Sequence, residues 1–319
     1  MQSEVKQNQM TRLGRFTNKL ADIGQQTPSD NPPEDAAAKE AAYWTGHNVT
    51  RHRTFASAAD SFAYFKWRND QYFNYIELMP VAGFDNKAVL DFGCGPGHDL
   101  VGFSTMSRPD RLVGVDVSST SLVEARERLA VHGKNSELLQ LDPRSSEIPL
   151  ASGSIDHIHS SGVLHHTPDP LALLKELRRV LRPDGTMNVM IYNYDSLWLH
   201  LYVAYVKQIL EGLYVDEDVR EAFRHTTDGI DCPISNVYRP DEWIALCAAA
   251  GFNAEFSGAA VSLWECSLLG RYRFDACMHE DLPIESRKFL LGLTLDPLGY
   301  PMHQGNYAGV DGCFHLSLT

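Results

Sequence analysis

Three glycines at alternate positions dominate the reading of this chain. They lie in Val89-Leu90-Asp91-Phe92-Gly93-Cys94-Gly95-Pro96-Gly97-His98-Asp99, after a short apolar run beginning at Ala88. Such a run, closed by an acid and then by spaced glycines, reads as a buried parallel strand feeding a turn that opens a helix. Glycines suit that turn because a ligand must approach bare backbone and because the dihedrals exclude a Cβ. A second β-branched run, Arg111-Leu-Val-Gly-Val-Asp116, ends in another acid 19 residues after Gly97. In a doubly wound sheet that acid stands at the tip of the next strand, where it can accept both hydroxyls of a ribose. The dinucleotide fingerprint G-x-G-x-x-G would need glycine where His98 stands, so a nicotinamide enzyme is the weakest rival.

Periodicity and punctuation extend the pattern. Strands are expected at 88–92, 111–116, 137–141, 155–160 and 185–192, with helices at 97–107, 119–133 and 169–182. Ser118-Ser119 supplies an N-cap and Gly133 a stop, Asp169-Pro170 opens the next helix, and Arg182-Pro183-Asp184-Gly185 ends it. Strands alternating with helices imply an α/β, mostly parallel sheet whose ligands bind beyond the carboxyl ends of the strands. Asp91, Asp116 and the Ser160–Gly162 loop all fall at such ends.

The D-x-G-x-G-x-G form resembles motif I of class I S-adenosylmethionine-dependent methyltransferases. The stretch from Gly153-Ser-Ile-Asp156 through Leu164-His165-His166-Thr-Pro-Asp-Pro170 to Arg182-Pro-Asp-Gly185 resembles motifs IV to VI of the small-molecule members, so the resemblance covers about 87–193. It implies a Rossmann-like, seven-stranded doubly wound sheet with an antiparallel last strand, and S-adenosyl-L-methionine as cofactor. Carried over residue by residue, it implies cofactor contacts from Asp91, Gly93, Cys94, Gly95, Gly97, Asp116, Val117, Ser160 and Ser161. Asp142, in Leu141-Asp142-Pro143-Arg144, is the candidate for the adenine amino group. It lies seven residues before Pro149, farther than usual in the family, and Pro143 offers the ring no N–H.

Around this core the organisation reads as 1–35, an N-terminal amphipathic helix and linker; 36–80, a helical cap; 81–193, the cofactor-binding core; and 194–238, a helical insert. The last part, 239–319, completes the sheet and carries a second insert at about 266–309. Met10, Leu13, Phe16, Leu20 and Ile23 fall at helical spacing among basic residues. A transit peptide or membrane-surface helix would show this, as would a helix docking on its own domain or on a neighbouring subunit. Asn31-Pro32-Pro33 is similar to part of a base-methylating motif, but Glu34 replaces its aromatic residue and the segment precedes the glycine turn.

Leu197–Leu210 reads as a strongly apolar helix, serving as a substrate lid, an oligomer contact, or both. Tyr194, His225, Asp228, Asp231, Tyr238 and Arg239 crowd its ends; of these Tyr194, His225, Asp231, Tyr238 and Arg239, with Trp67 and Arg68, are the acceptor-site candidates. His165-His166 sits in what reads as an extended segment, where neighbours point apart; a shared metal is not expected and no metal is assigned.

Net charge is −13 and no basic run occurs, which disfavours a nucleic-acid substrate. Six cysteines without C-x-x-C spacing suggest reduced thiols and a cytoplasmic setting, and no apolar run reaches the length of a membrane span. A small polar acceptor, amino-acid-like, is expected from the Arg, Asp, His and Tyr cluster. The chain is similar to bacterial S-adenosylmethionine enzymes of small metabolites, and methionine S-methylation is one such activity. Two alternatives stay open: an O- or N-methyltransferase of a natural-product or quinone pathway, and a non-catalytic cofactor- or partner-binding subunit. A homo-oligomer is expected from the apolar insert.

Overall fold

The computed structural model describes residues 34–319; the expected amphipathic start and its linker lie outside the described residues. The segment expected to be wholly helical from 36 to 80 is broken. It forms α1 (Glu34–Gly46), α2 (Ala58–Asn69), a short strand β1 (Tyr72–Phe73) and the one-turn α3 (Tyr75–Leu78). Alternation then runs β2 (Ala88–Phe92), α4 (His98–Met106), β3 (Arg111–Asp116), α5 (Ser119–Val131), β4 (Glu137–Gln140), β5 (Ile155–Ser161), α6 (Pro170–Val180) and β6 (Leu181–Tyr192). After a π-helix, Trp198–Leu210, come α7 (Val219–Phe223), α8 (Pro240–Ala249), β7 (Phe252–Ser262), α9 (Leu263–Met278) and α10 (Ile284–Leu291). A small antiparallel sheet of β8 (Thr294–Leu295), β9 (Pro301–His303) and β10 (Asn306–Tyr307) precedes the final strand β11 (Asp311–Leu318).

The main sheet has the order β4-β3-β2-β5-β6-β11-β7-β1. Strands β2 to β6 are parallel, and β11 runs antiparallel between β6 and β7. There are eight strands rather than seven, because Tyr72 and Phe73 pair with Ser262 and Val261 along the outer edge of β7. Two aromatic residues of high strand propensity there satisfy backbone groups that an open edge would leave unpaired. The predicted caps form: Ser118 accepts from the Ser121 N–H and Asp169 from the Ala172 N–H. Helix α6 stops before the Arg182–Gly185 signal, since Leu181 is already extended and pairs with Ile155.

β2 is buried at every residue, and its side chains alternate between the two faces of the sheet. Val89 joins Leu100, Val101, Phe103 and Leu112 on one face. Leu90 and Phe92 join Leu174, Leu177 and Trp243 on the other. Fully burying each such side chain contributes about 1.5–3 kcal/mol, so both faces hold the strand's carboxyl end, and the glycine turn, in place.

The apolar run after β6 is helical with the wider π pattern, as in the bond from Glu211 N–H to Val206 C=O at 2.9 Å. Leu201 and Ala204 pack with Leu268 and Ala276 of α9 and Phe289 and Leu290 of α10. Leu199 and Val203 pack with Ala222 and Phe223 of α7. The two inserts therefore share one core within the chain, and the second begins at Leu263 rather than near 266. That burial removes the physical ground for assigning the run to an oligomer contact. Among the described residues, no helix is long and apolar enough to cross a membrane, and all six cysteines are free.

Candidate functional site

The site grows from the end of β2. The N–H groups of Gly93 and Cys94 donate to the Val115 carbonyl of β3 at 2.8 and 3.0 Å, which fastens the turn to the next strand. Gly93 has φ +77°, and a Cβ there would stand 2.3 Å from Val163. Asp116 completes the grip: its Oδ2 accepts the Gly95 N–H at 2.8 Å and its Oδ1 accepts the Ser118 N–H at 2.8 Å. Burial raises the Asp116 carboxyl above its ordinary value, against the lowering effect of those N–H groups. Nothing lies within 4 Å of the place a Gly95 Cβ would occupy, so bare backbone faces open space. Gly97 begins α4 in a left-handed conformation. Cys94 is buried, and burial holds its thiol well above the usual range, as an unreactive group. Val117 is half-buried against the β-sheet core and its carbonyl accepts from Gln140.

Beside this turn several buried polar atoms have no partner, His98 Nδ1 among them. Asp91 Oδ2 and Ser160 Oγ are buried without a hydrogen bond among the described residues. Burial, then the charge of nearby Asp99, pushes the Asp91 carboxyl up to about 8. Asp99 on α4 pairs with His159 on β5 at 3.4 Å. Burial works against both charges, but His159 with His98 and Arg68 holds Asp99 low, and Asp99 with Asp91 holds His159 high. Asp142 follows Leu141, whose N–H donates to the Asp116 carbonyl at 2.9 Å; it is exposed, with its Oδ1 3.2 Å from Arg144 Nε, and that contact and the Arg144 backbone hold its carboxyl low.

Next to the glycine turn is a polar collar drawn from six segments. Arg68 comes from the end of α2, Tyr72 from β1, Tyr75 from α3 and Tyr192 from the end of β6. Asp228 comes from the loop before α8, and Asp311, directly opposite Tyr192 in the ladder, opens β11. Tyr75 shares a hydrogen bond with Ser161, and the Tyr192 hydroxyl donates to both Asp228 oxygens at 2.9 and 3.0 Å. Burial pushes Tyr72 up to about 12 and holds Tyr75 and Tyr192 well above the usual range. These hydroxyls stay protonated and act as donors.

Two opposite charges in the collar are not joined. Burial disfavours the Arg68 cation, but the neighbouring Tyr75, Tyr72 and Asp99 more than offset it. No carboxylate lies within ion-pair distance of Arg68 among the described residues. Asp311 is 4% exposed and feels the charge of Arg68, yet burial still pushes it up to about 7. A half-buried cation and a buried carboxylate that feel one another's charge without forming an ion pair leave both signs unneutralised in the collar.

Of the seven acceptor candidates, the structure brings only Arg68 into this collar. Trp67 is 56% exposed and leans on Tyr64. Tyr194 donates to Glu285 at 3.0 Å and lies under the guanidinium of Arg239, 3.8 Å from its ring centre. Arg239 is itself engaged by Glu285 and, at 3.5 Å, by Asp195. His225 pairs with Glu217 at 3.4 Å and stacks on Tyr214. Asp231 is exposed, and Tyr238 packs against Trp243 at the edge of the core. His165 and His166 occupy a 3₁₀ turn, not an extended segment, and their rings approach to 4.2 Å. Sequence reasoning missed Tyr72, Tyr75, Tyr192 and Asp311. Asp311 lies 220 residues after Asp91, and only the insertion of β11 between β6 and β7 carries it to the site.

Residues 89–185 match the model of a methyltransferase domain family. Over 140 residues the chain is 33% identical to a protein from Azoarcus sp. (strain BH72) named trans-aconitate 2-methyltransferase, covering 41% of this chain and 53% of that protein. Over 147 residues it is 34% identical to an uncharacterized 37.1 kDa protein in transposon TN4556 of Streptomyces fradiae, covering 45% of this chain and 38% of that one. The chain thus spans about half the length, or less, of these curated relatives. In fold it is similar to the YcgJ protein from Bacillus subtilis, with a TM-score of 0.50 at 17% identity over 76% of this chain and 96% of the other.

Proposed function

We propose, from the premise that residues 89–185 are a class I S-adenosylmethionine-dependent methyltransferase domain, that this chain transfers the cofactor's methyl group to a small zwitterionic acceptor of the amino-acid type. The unjoined pair of Arg68 and Asp311 carries this reading. The cofactor, when bound, supplies a sulfonium methyl already activated for transfer, so the protein's main task is to hold the acceptor in line. The glycine turn with Asp91, Ser160 and Ser161 would take its methionyl end. Asp116 would take the ribose, beside Val117, and Asp142 would serve the adenine.

The partnerless Asp91 Oδ2 and Ser160 Oγ, and the open backbone at Gly95, fit such a ligand. In the collar, Arg68 takes the acceptor carboxylate and Asp311 its ammonium, Tyr72 can donate a hydrogen bond, and Tyr75 and Tyr192, engaged with Ser161 and Asp228, exclude water. Hydroxyls held protonated in this way cannot abstract a proton. That favours a nucleophile that has none to lose, and the thioether of methionine meets the requirement. An acceptor with several carboxylates would meet Asp311 and Asp228 as like charges.

The test is S-adenosylhomocysteine release with methionine, its methyl ester and its deaminated analogue. Turnover that needs both the carboxylate and the ammonium supports the reading. Equal turnover of an analogue lacking either charge refutes it.

A further inference from the structure

We propose that Glu40, His166 and Cys232 form a binding site for a divalent cation of the zinc class. The three come from α1, the 3₁₀ turn after β5 and the loop before α8. One ligand atom from each lies within 4.8 Å of the others, and all three residues are buried. The second oxygen of Glu40, Oε2, is buried without a hydrogen bond, while Oε1 accepts the Trp44 indole N–H at 2.5 Å. That bond fixes the carboxylate plane and leaves a free ligand atom in the interior. No lysine or arginine stands within ion-pair distance of Glu40 among the described residues.

The surroundings of His166 add an independent observation. Nδ1 lies 2.6 Å from the Ile234 carbonyl and 3.8 Å from Cys232 Sγ, and Nε2 lies 3.6 Å from Asp228 Oδ2. With the ion at Nδ1, on the Cys232 side, that nitrogen would exchange the Ile234 carbonyl for the metal, and Nε2–H would face the Asp228 carboxylate, the usual outer support of a metal-bound imidazole. A mixed O, N and S donor set suits zinc, whereas calcium and magnesium demand oxygen alone. A carboxylate, a thiolate and a neutral imidazole carry two negative charges, so a dication closes the charge balance of a buried cluster. Asp228 also accepts from Tyr192. The ion would therefore fasten α1 and the 228–236 loop behind the collar rather than enter it.

The experiment is metal analysis of the full chain purified without chelator, with cobalt(II) titration followed by absorbance. The expected result is about one equivalent of zinc per chain and a thiolate-to-cobalt charge-transfer band. Cys232→Ser should abolish the band, and Glu40→Gln should weaken cobalt binding at least about tenfold. Cys266→Ser, a thiol outside the cluster, should leave both unchanged. Absence of the band in the unaltered protein overturns the proposal, even where a variant fails to fold, and so does a band that survives Cys232→Ser in folded protein. Neither readout depends on methyl transfer, so failure here leaves the proposed activity standing, and the reverse.

Discussion

Asp116 and Gly95 are joined across the top of the sheet: the Asp116 carboxylate at the tip of β3 accepts the Gly95 N–H at 2.8 Å. One residue thus shapes the turn after β2 and, under the proposed function, would also take the ribose. Asp116→Ala should lose both effects. Charge-assisted hydrogen bonds of this kind contribute about 1.5–3 kcal/mol each, so S-adenosylhomocysteine affinity should fall about 10- to 100-fold or more. Calorimetric titration checks it, and an unchanged Kd would remove Asp116 from the site.

Gly93 is intolerant of any side chain. Its φ of +77° is a left-handed value, and a Cβ would overlap Val163 at 2.3 Å. Gly93→Ala should abolish cofactor binding and lower the Tm, whereas Gly270→Ala, in α9 with ordinary backbone and open space at its Cβ, should retain binding. Retained affinity in Gly93→Ala would show that the turn is not held as described.

The two arginines of the sequence reading separate cleanly. Arg68→Gln should raise the acceptor KM about 10- to 100-fold, the range for one charge-assisted contact, and leave the Kd of S-adenosylhomocysteine within about twofold. Arg239→Ala should leave KM unchanged. Its pair with Glu285 is partly exposed, so the cost in stability should be about 1 kcal/mol or less. A larger KM effect for Arg239 than for Arg68 would reverse the assignment.

Asp311 sets a pH dependence. Burial lifts its carboxyl from 3.8 to about 7 in the folded chain. The native state then holds a proton that the unfolded state releases between about pH 4 and pH 7, so this residue's contribution falls as pH rises through that window. In ligand-free protein, the Tm of Asp311→Asn minus that of the unaltered chain should grow over the same window. A zwitterionic acceptor should restore part of the loss only when Asp311 is present. A pH-independent difference would mean that Asp311 is ionised and paired.

Much of the core was legible in the order of residues. The continuous burial of β2, caps at Ser118 and Asp169, and the spacing from Gly97 to Asp116 are consequences of local geometry that neighbouring residues encode. The edge strand Tyr72–Phe73 was not, because two residues carry no period and their pairing depends on the exposed flank of β7. The apolar run at 197–210 was legible as helix, but its partners were not: periodicity marks a buried face without saying what buries it. Here α7, α9 and α10 of the same chain do.

The sequence by itself determined the parallel α/β sheet, the glycine turn and the acid that grips it, since each is a short-range pattern with a local physical cause. Only the tertiary structure decided which polar side chains meet. Arg68 and Asp311 lie far apart along the chain and are brought to one collar by the pairing of β1 and β11 with β7. Glu40, His166 and Cys232 converge in the same way. Contacts between distant segments depend on how whole elements pack, and no spacing of residue types along a chain records that.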